Sequence, residues 1–420
     1  PRQVRHRFRL PPRSKPAKPS HRTKPDRKAV PVTQSASGSD ATSRALLPQG
    51  LRDVLPPDGD HENRVAEALM ACFAGHGYER VKPPMVEFEQ SLLGNVTPSV
   101  ANRTFRMMDP ISQRMMAVRP DMTLQVARIA TTRLKNAARP LRLSYSGEVL
   151  RVMGSQLSPE REFTQVGLEL IGAGSPEADA EVILLAAEAA RKVGVKGVSI
   201  DLMMPVLVPA VLAAHGVEGR EAAAFRAALD SKDGGALARL GGPAELIGQM
   251  LAASGPCAPG LAALSAIDLP APAKGLVDAL RTVAGLVIEA DPGLTLTVDA
   301  VENRGFNYHT GVSFSLFVRG VRGELGRGGR YRAGDGGEDA TGLTLYMDTV
   351  VRALPAPKPG RKAFVPFGAR AELGRGLRAQ GWVTVAGLAR ATDSAAEARR
   401  LGCTHICDSD GNIKEIERAA

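Results

Sequence analysis

Between Leu141 and Gly172 the chain alternates apolar and polar residues, breaks into a loop, and alternates again (LRLSYSGEVLRVMGSQLSPEREFTQVGLELIG). A period of two on both sides of a loop predicts a long antiparallel hairpin. In the second arm Val166, Leu168 and Leu170 fall on one face, and Phe163, Gln165, Gly167 and Glu169 on the other. The first face is ordinary core. The second sets an amide and a carboxylate on either side of a glycine, which leaves side-chain space empty above the sheet. The first arm ends near Arg151, and the segment Val152 to Glu160 is longer than the roughly two to five residues of an ordinary hairpin loop. A floor bearing Arg, Gln and Glu beneath a long loop suits a small zwitterion. It equally fits the solvated outer face of an antiparallel sheet.

The same kind of pattern places the other elements. Asp60 is expected to cap a helix in which Val65, Leu69 and Phe73 recur every four residues, ending near Gly75 to Gly77. Tyr78 to Val86 reads as a strand running into a Pro-Pro turn, and a helix is expected after Thr123, over Leu124 to Leu134. Ser175-Pro-Glu177 is a helix start, with a capping Ser, Pro at the first position and an acid in the first turn. That Ala/Leu-rich helix stops at Gly194, and Val198 to Leu202 is a strand. From about 205 to 289 the texture turns Ala-, Leu- and Gly-rich with little β signal, the pattern of a helical insertion. Strands follow at Leu294 to Val301 and at His309 to Val318, the latter with Thr310, Val312, Phe314, Leu316 and Val318 turned inward. Glycines in Gly323 to Tyr331 point to tight turns, Gly342 to Leu354 to a strand leading into a helix, and residues 355–360 to a stiff linker. Residues 361–420 read as a small β-α-β-α-β domain.

Composition changes this picture mainly at the N-terminus. The chain has 420 residues, enough for two or three domains, and a net charge of +10. Residues 1–49 hold 12 Lys/Arg and 2 Asp/Glu, so of the totals of 54 and 44 the remainder of the chain keeps 42 of each. The body is therefore neutral, and with only 4% aromatics it lacks both the basic excess and the stacking surface of a nucleic-acid binder. Residues 1–45, rich in Pro, Arg, Lys and Ser without apolar periodicity, are expected to form a disordered basic tail. This stretch lacks an initiator Met and need not be a native start. Four scattered cysteines fit a reducing, cytoplasmic setting rather than a disulfide framework. Cys403-Thr-His-Ile-Cys407 has no second ligand pair to complete a metal site, so no metal is expected there. No apolar run reaches the ~18–20 residues of a membrane span.

The polar positions group into one candidate site. Asp121 and Thr123 suit an ammonium, Arg151 and Arg304 a carboxylate, and Gln165 both. Glu169 suits a ring N–H of an imidazole-like side chain, with Tyr308 and His309 closing the pocket. Each has a plainer reading: Arg and Glu on sheets commonly pair at the surface for about 0–1 kcal/mol. The Gly-rich run matches neither a P-loop nor a dinucleotide fingerprint, and no Ser-His-Asp, HExxH or paired-Cys pattern is present.

At these residues, over roughly Leu47 to Leu354, the chain resembles the histidyl-tRNA synthetase superfamily of class II synthetases. Gln49-Gly-Leu-Arg-Asp-Val-Leu-Pro resembles the family's opening segment, and Gly77-Tyr-Glu-Arg-Val-Lys-Pro-Pro its dimer-forming motif 1. Arg119-Pro-Asp-Met-Thr123 resembles the amino-group-binding segment, with Asp121 in place of the usual Glu, and Gly147 to Glu169 resembles motif 2. Arg304-Gly-Phe-Asn-Tyr-His309 and Gly328-Gly-Arg-Tyr331 resemble the two histidine-specific signatures. The departures lie elsewhere. Where motif 2 carries Arg-x-Glu this chain has Arg151-Val152-Met153, and the following Gly-Arg is Ser158-Pro159. Where motif 3 ends Gly-Leu-Glu-Arg the chain has Tyr346-Met347-Asp348-Thr349, with no Arg for the ATP phosphates.

Kept histidine residues beside eroded ATP and tRNA machinery resemble one branch, the synthetase-like regulatory subunits of short-form ATP phosphoribosyltransferase. The resemblance implies an α+β fold: a class II antiparallel sheet of six to seven strands flanked by helices, the helical insertion, and a shortened anticodon-binding-like domain. It also implies no cofactor and no chemistry of its own. It implies a self-dimer assembled with the catalytic subunit into a hetero-oligomer, and L-histidine as feedback effector. A working histidyl-tRNA synthetase and an RNA-binding pseudo-synthetase are the alternatives, the second kept open by the basic tail.

Overall fold

The computed structural model of the chain describes residues 46–93, 101–102, 104–154, 159–302, 308–334, 337–357, 360–408 and 410–416. The basic tail, Ser158 and Arg304 lie outside the described residues.

In chain order the elements begin with helix α1 (Asp58–Gly75), strands β1 (Glu79–Arg80) and β2 (Val86–Phe88), and helix α2 (Glu89–Leu93). Strands β3 (Arg106–Met108) and β4 (Met115–Val118) precede helix α3 (Thr123–Thr132), the hairpin β5 (Leu141–Leu150) and β6 (Glu162–Ile171), helix α4 (Pro176–Lys192) and strand β7 (Val198–Met203). Four helices, α5 (Leu207–Ala214), α6 (Gly219–Asp230), α7 (Gly234–Ala238) and α8 (Ala244–Ala252), lead to strand β8 (Gly255–Pro256) and helices α9 (Cys257–Ala266) and α10 (Ala271–Ala290). Strands β9 (Thr295–Val298), β10 (His309–Val318), β11 (Gly326–Ala333) and β12 (Glu338–Tyr346) then run into helix α11 (Met347–Arg352). The remainder is β13 (Lys362–Val365), α12 (Ala371–Ala379), β14 (Val383–Ala386), α13 (Ser394–Arg400), β15 (His405–Cys407) and β16 (Ile413–Glu415).

One nine-stranded sheet, ordered β1-β5-β6-β12-β11-β10-β7-β9-β8, carries the molecule. The predicted hairpin is there, paired from Leu141↔Ile171 to Leu150↔Glu162. The sheet is wider than the six to seven strands expected because two-residue strands finish both edges; β1 joins β5, and β9 joins β7, in parallel. Such short edges carry almost no periodicity. The alternation of β6 divides the interior as its sequence demands: Val166, Leu168 and Leu170 join the main cluster with Leu69 and Phe73 of α1, Val182, Ile183 and Leu185 of α4, and Leu280 and Val283 of α10. Each such side chain, buried to 3% exposure or less, contributes on the order of 1.5–3 kcal/mol. Helices α5 to α10 share this cluster. The opposite face packs Tyr145, Phe163 and Tyr331 against Met122, Val126 and Ala130 at helix α3.

Several local expectations fail for identifiable reasons. Helix α1 starts at Asp58, after Pro57, so Asp60 lies in its first turn instead of capping it. Ser175 does stand at the N-cap of α4, but its side chain makes no capping bond. Thr310 is exposed, because the β10–β11 register shifts between His309 and Ser313 and breaks the alternation. The Gly-rich run is no set of turns: from Gly326 it is the central strand β11. A Cβ on Gly328 would sit 2.2 Å from the Gly342 carbonyl oxygen and 2.5 Å from the Phe314 ring, so neighbouring backbones approach where side chains are missing. Tyr78 to Val86 is not one strand; Glu79–Arg80 belong to the large sheet, while Val86–Phe88 open a separate sheet, β2-β4-β3. Gly194 closes α4 with φ 102°, a conformation that favours glycine.

Residues 362–415 form their own four-stranded sheet, β14-β13-β15-β16, one strand more than the pattern suggested. Cys403 and Cys407 are buried in two different apolar clusters of this unit, one with Phe364 and one with Ala363 and Val365.

Candidate functional site

The polar face of the hairpin is not solvated. Gln165 and Glu169 are both 0% exposed, which removes the outer-face reading of this segment. Nor is the space over Gly167 empty: Tyr145, its cross-strand partner, fills it, and a Cβ on Gly167 would lie 2.4 Å from the Tyr145 hydroxyl oxygen.

Asp121 and Thr123 stand at the start of α3, and a buried arginine fixes the segment before them. Arg119 Nε donates to the Glu148 carbonyl oxygen at 2.6 Å and Nη1 to that of Pro83 at 3.1 Å. Gly147 makes room for this guanidinium, since a Cβ there would meet Nη2 at 2.4 Å. Gln165 then ties segment to sheet: its Oε1 accepts from the Met122 amide at 3.0 Å, and its Nε2 donates to Asp121 Oδ2 at 2.9 Å. The other Asp121 oxygen accepts from the Thr123 amide at 2.9 Å. The Asp121 carboxylate is thus held by the hairpin floor.

Glu169 is the deepest acid. Tyr331 donates to its Oε2 at 2.9 Å and Tyr145 to its Oε1 at 3.3 Å, while the Tyr145 hydroxyl also meets Thr344 Oγ1 at 2.8 Å and Thr123 Oγ1 at 3.3 Å. Burial pushes the carboxyl from 4.5 up to about 8, with the bonds from Tyr331, Thr123 and Tyr145 opposing and the nearby Asp121 charge adding to the rise. Glycine at 342 is required here: a Cβ would fall 1.9 Å from Glu169 Oε2. At the start of β10 the imidazole of His309 is held neutral, its pKa driven down to about 3 by burial and then by the Arg327 charge. The ring of Tyr308, half exposed, packs on His309 at 4.4 Å and edge-on to Tyr331 at 6.1 Å.

These groups line one cleft of about 310 Å³, counting its solvent-open mouth: Asp121, Thr123, Glu169, Tyr308, His309 and Tyr331, with Arg327, Thr344, Tyr346 and three glycines. The room within it for the centres of water molecules is only about 30 Å³, well below the ~300–1,000 Å³ typical of small-molecule sites, so the cleft is narrow in this structure. Of the residues singled out in the sequence, five line the cleft and Gln165 orients one of them. Arg151 does not line it; its guanidinium lies over the Phe163 ring at 4.7 Å. Arg304 is outside the described residues. Among the described residues Arg327 is the cation that lines the cleft, with its guanidinium 5.6 Å from the Tyr346 ring and an ion pair to Glu324. Tyr145, Arg327, Tyr331 and Thr344 were missed as site residues. Tyr331 stands in a histidine-specific signature by resemblance without being carried into the candidate site, and for Arg327 the only signal was the Gly-rich run that holds it.

The motif 3 position looks different. Thr349 is buried at 4% exposure and accepts a bond from Arg352 Nη2 at 3.0 Å, while Arg352 Nη1 lies 3.5 Å from Asp348 and 3.6 Å from Glu160. The arginine nearest this position is committed to two carboxylates.

Residues 50–350 match the family model described as Histidyl-tRNA synthetase. An ATP phosphoribosyltransferase regulatory subunit of Paramagnetospirillum magneticum is 55% identical over 380 residues, 90% of this chain and 100% of the relative. The chain belongs to the ATP phosphoribosyltransferase regulatory subunit family. A further member, from Rhodospirillum centenum, is 56% identical over 89% of this chain and 97% of its own length. The crystal structure of a Bacillus halodurans protein described as ATP phosphoribosyltransferase regulatory subunit/histidyl-tRNA synthetase shares the fold, with a TM-score of 0.75 at 24% identity over 89% of this chain and 97% of that one. The class II synthetase-like architecture is therefore the family's, built here on the nine-stranded sheet. Among the described residues no helix is long and apolar enough to cross a membrane.

Proposed function

We propose that this chain is the non-catalytic regulatory subunit of a short-form ATP phosphoribosyltransferase. It assembles as a self-dimer with the short catalytic subunit in the cytosol, activates it, and conveys feedback inhibition by L-histidine at the first step of histidine biosynthesis. The observation that supports this best is a contrast between the cleft and the helix that follows β12. The cleft has a carboxylate suited to an ammonium at Asp121, a deep carboxyl at Glu169 and a cation at Arg327. The phosphate clamp of motif 3 is replaced by Thr349, with Arg352 bound to acids.

In this reading the histidine ammonium binds Asp121 and Thr123, its imidazole N–H donates to Glu169, and its carboxylate faces Arg327 and, by family resemblance, Arg304. With Thr349 where motif 3 carries its arginine, that charge-assisted contact to the triphosphate, a kind worth several kcal/mol in phosphoryl and adenylyl transfer, is missing. Histidine acts only by binding two states of the assembly with unequal affinity, since equal binding shifts nothing. The neutral body argues against tRNA as a ligand. Aminoacylation of tRNAHis by the purified chain tests the non-catalytic part: no charging is expected, and charging at synthetase-like rates would return the chain to the enzymes.

A further inference from the structure

A second polar cluster lies away from the cleft, where the last turn of α1 meets the last two turns of α4. Cys72 in the last turn of α1 and His76, the residue that caps its C-terminal end, are four residues apart, and Glu188 of α4 meets both. His76 Nε2 lies 3.2 Å from each oxygen of the Glu188 carboxylate, and Cys72 Sγ lies 3.8 Å from Oε1. One ligand atom from each of the three falls within 4.8 Å of the others.

We infer that Cys72, His76 and Glu188 form a divalent-cation site, with zinc the metal its ligand set fits best. A thiolate, an imidazole and a carboxylate are the three protein ligand types of zinc. Zinc bonds of about 2.0–2.3 Å in a tetrahedron separate neighbouring ligand atoms by about 3.3–3.6 Å. The two spacings to Glu188, 3.2 and 3.8 Å, straddle that range, and Cys72 and His76 lie within 4.8 Å of each other, so side-chain rotation that draws those two together brings all three onto one ion. The cluster stands at the C-terminal end of α1, where the negative end of the helix dipole favours a cation. Cys72 is buried at the base, while His76 and Glu188 keep 41% and 54% of their side chains exposed, so the fourth position opens to water. The thiol proton passes to solvent as the metal binds. Lys192, one turn beyond Glu188, is the opposing charge and limits affinity. The bound ion clips α1 to α4, two of the helices that cover the sheet.

The test is a cobalt(II) titration of the full-length chain after chelator treatment, followed by zinc competition. One equivalent of cobalt should bind with tetrahedral visible bands and a sulfur-to-cobalt charge-transfer band, and zinc should displace it. Cys72→Ser should lose the charge-transfer band. Glu188→Gln changes only a half-exposed side chain, so it should fold normally; it should weaken binding by more than the roughly 10–100-fold that loss of an outer-shell partner costs. Zinc should raise Tm in the parent chain and not in Glu188→Gln. Absence of binding, or spectra and affinity unchanged in both variants, would overturn the site.

Discussion

Replacing Glu169 by Gln probes the proposed effector site with little change of volume. The amide still accepts from the Tyr331 hydroxyl, so the buried network is conserved in outline. What is lost is a charged acceptor for the imidazole N–H. Hydrogen bonds to charged groups contribute about 1.5–3 kcal/mol and neutral ones about 0.5–1.5 kcal/mol. The difference of about 1–2 kcal/mol predicts histidine binding roughly 5- to 30-fold weaker by calorimetry above the pKa of the parent carboxyl, with a smaller gap at lower pH where ionising it costs affinity. The raised pKa adds a second signature. With the Glu169 carboxyl near 8 in the empty site, only about a tenth of it is ionised at pH 7 and half at pH 8. Affinity in the parent chain should therefore rise about fivefold over that interval, a slope absent from Glu169→Gln. Unchanged affinity and an unchanged slope in the folded variant would refute a role for Glu169 in holding histidine.

The same carboxyl predicts a stability trend. Its folded pKa of about 8 exceeds the ordinary 4.5, so its favourable contribution is complete below about pH 4.5 and is lost as pH rises through 8. The whole span is worth up to about 5 kcal/mol. Urea midpoints measured from pH 5 to 8.5 should fall further for the parent chain than for Glu169→Gln; parallel curves would contradict the linkage. Gly342→Ala would place a methyl 1.9 Å from Glu169 Oε2 and drive that side chain off Tyr331. Thermal melts should show a loss of about 1–3 kcal/mol, accompanied by loss of histidine binding; a variant as stable as the parent would mean that the strand pair opens freely.

Much of the fold was legible because burial and alternation coincide. The two faces of β6 sort into two clusters just as Val166, Leu168, Leu170 and Phe163 imply. Strand β10 spans the predicted residues, yet Thr310 turns outward because a register shift leaves no trace in composition. The Gly-rich run misled for a physical reason. Glycines that signal turns in isolation sit here inside strand β11, where a Cβ on Gly328 would collide with the Gly342 carbonyl and the Phe314 ring. Gln165 and Glu169 were legible as one face of the alternating hairpin and Asp121 and Thr123 through the resemblance of their segment, whereas Tyr145 was not, since an inward Tyr looks like core until its hydroxyl is seen between Thr344 and Glu169. The four-residue spacing of Cys72 and His76 was visible, but Glu188, 112 residues from His76, reaches them only through the packing of α4 on α1.

The central claim is regulation without chemistry, and the most direct measurement is the ATP phosphoribosyltransferase rate of the short catalytic subunit from the same source. It is measured with and without this chain, across a histidine titration. The account predicts a low rate for the catalytic subunit alone, activation on adding the chain, and suppression of that activation by histidine. A rate indifferent to the chain at every histidine concentration would contradict it.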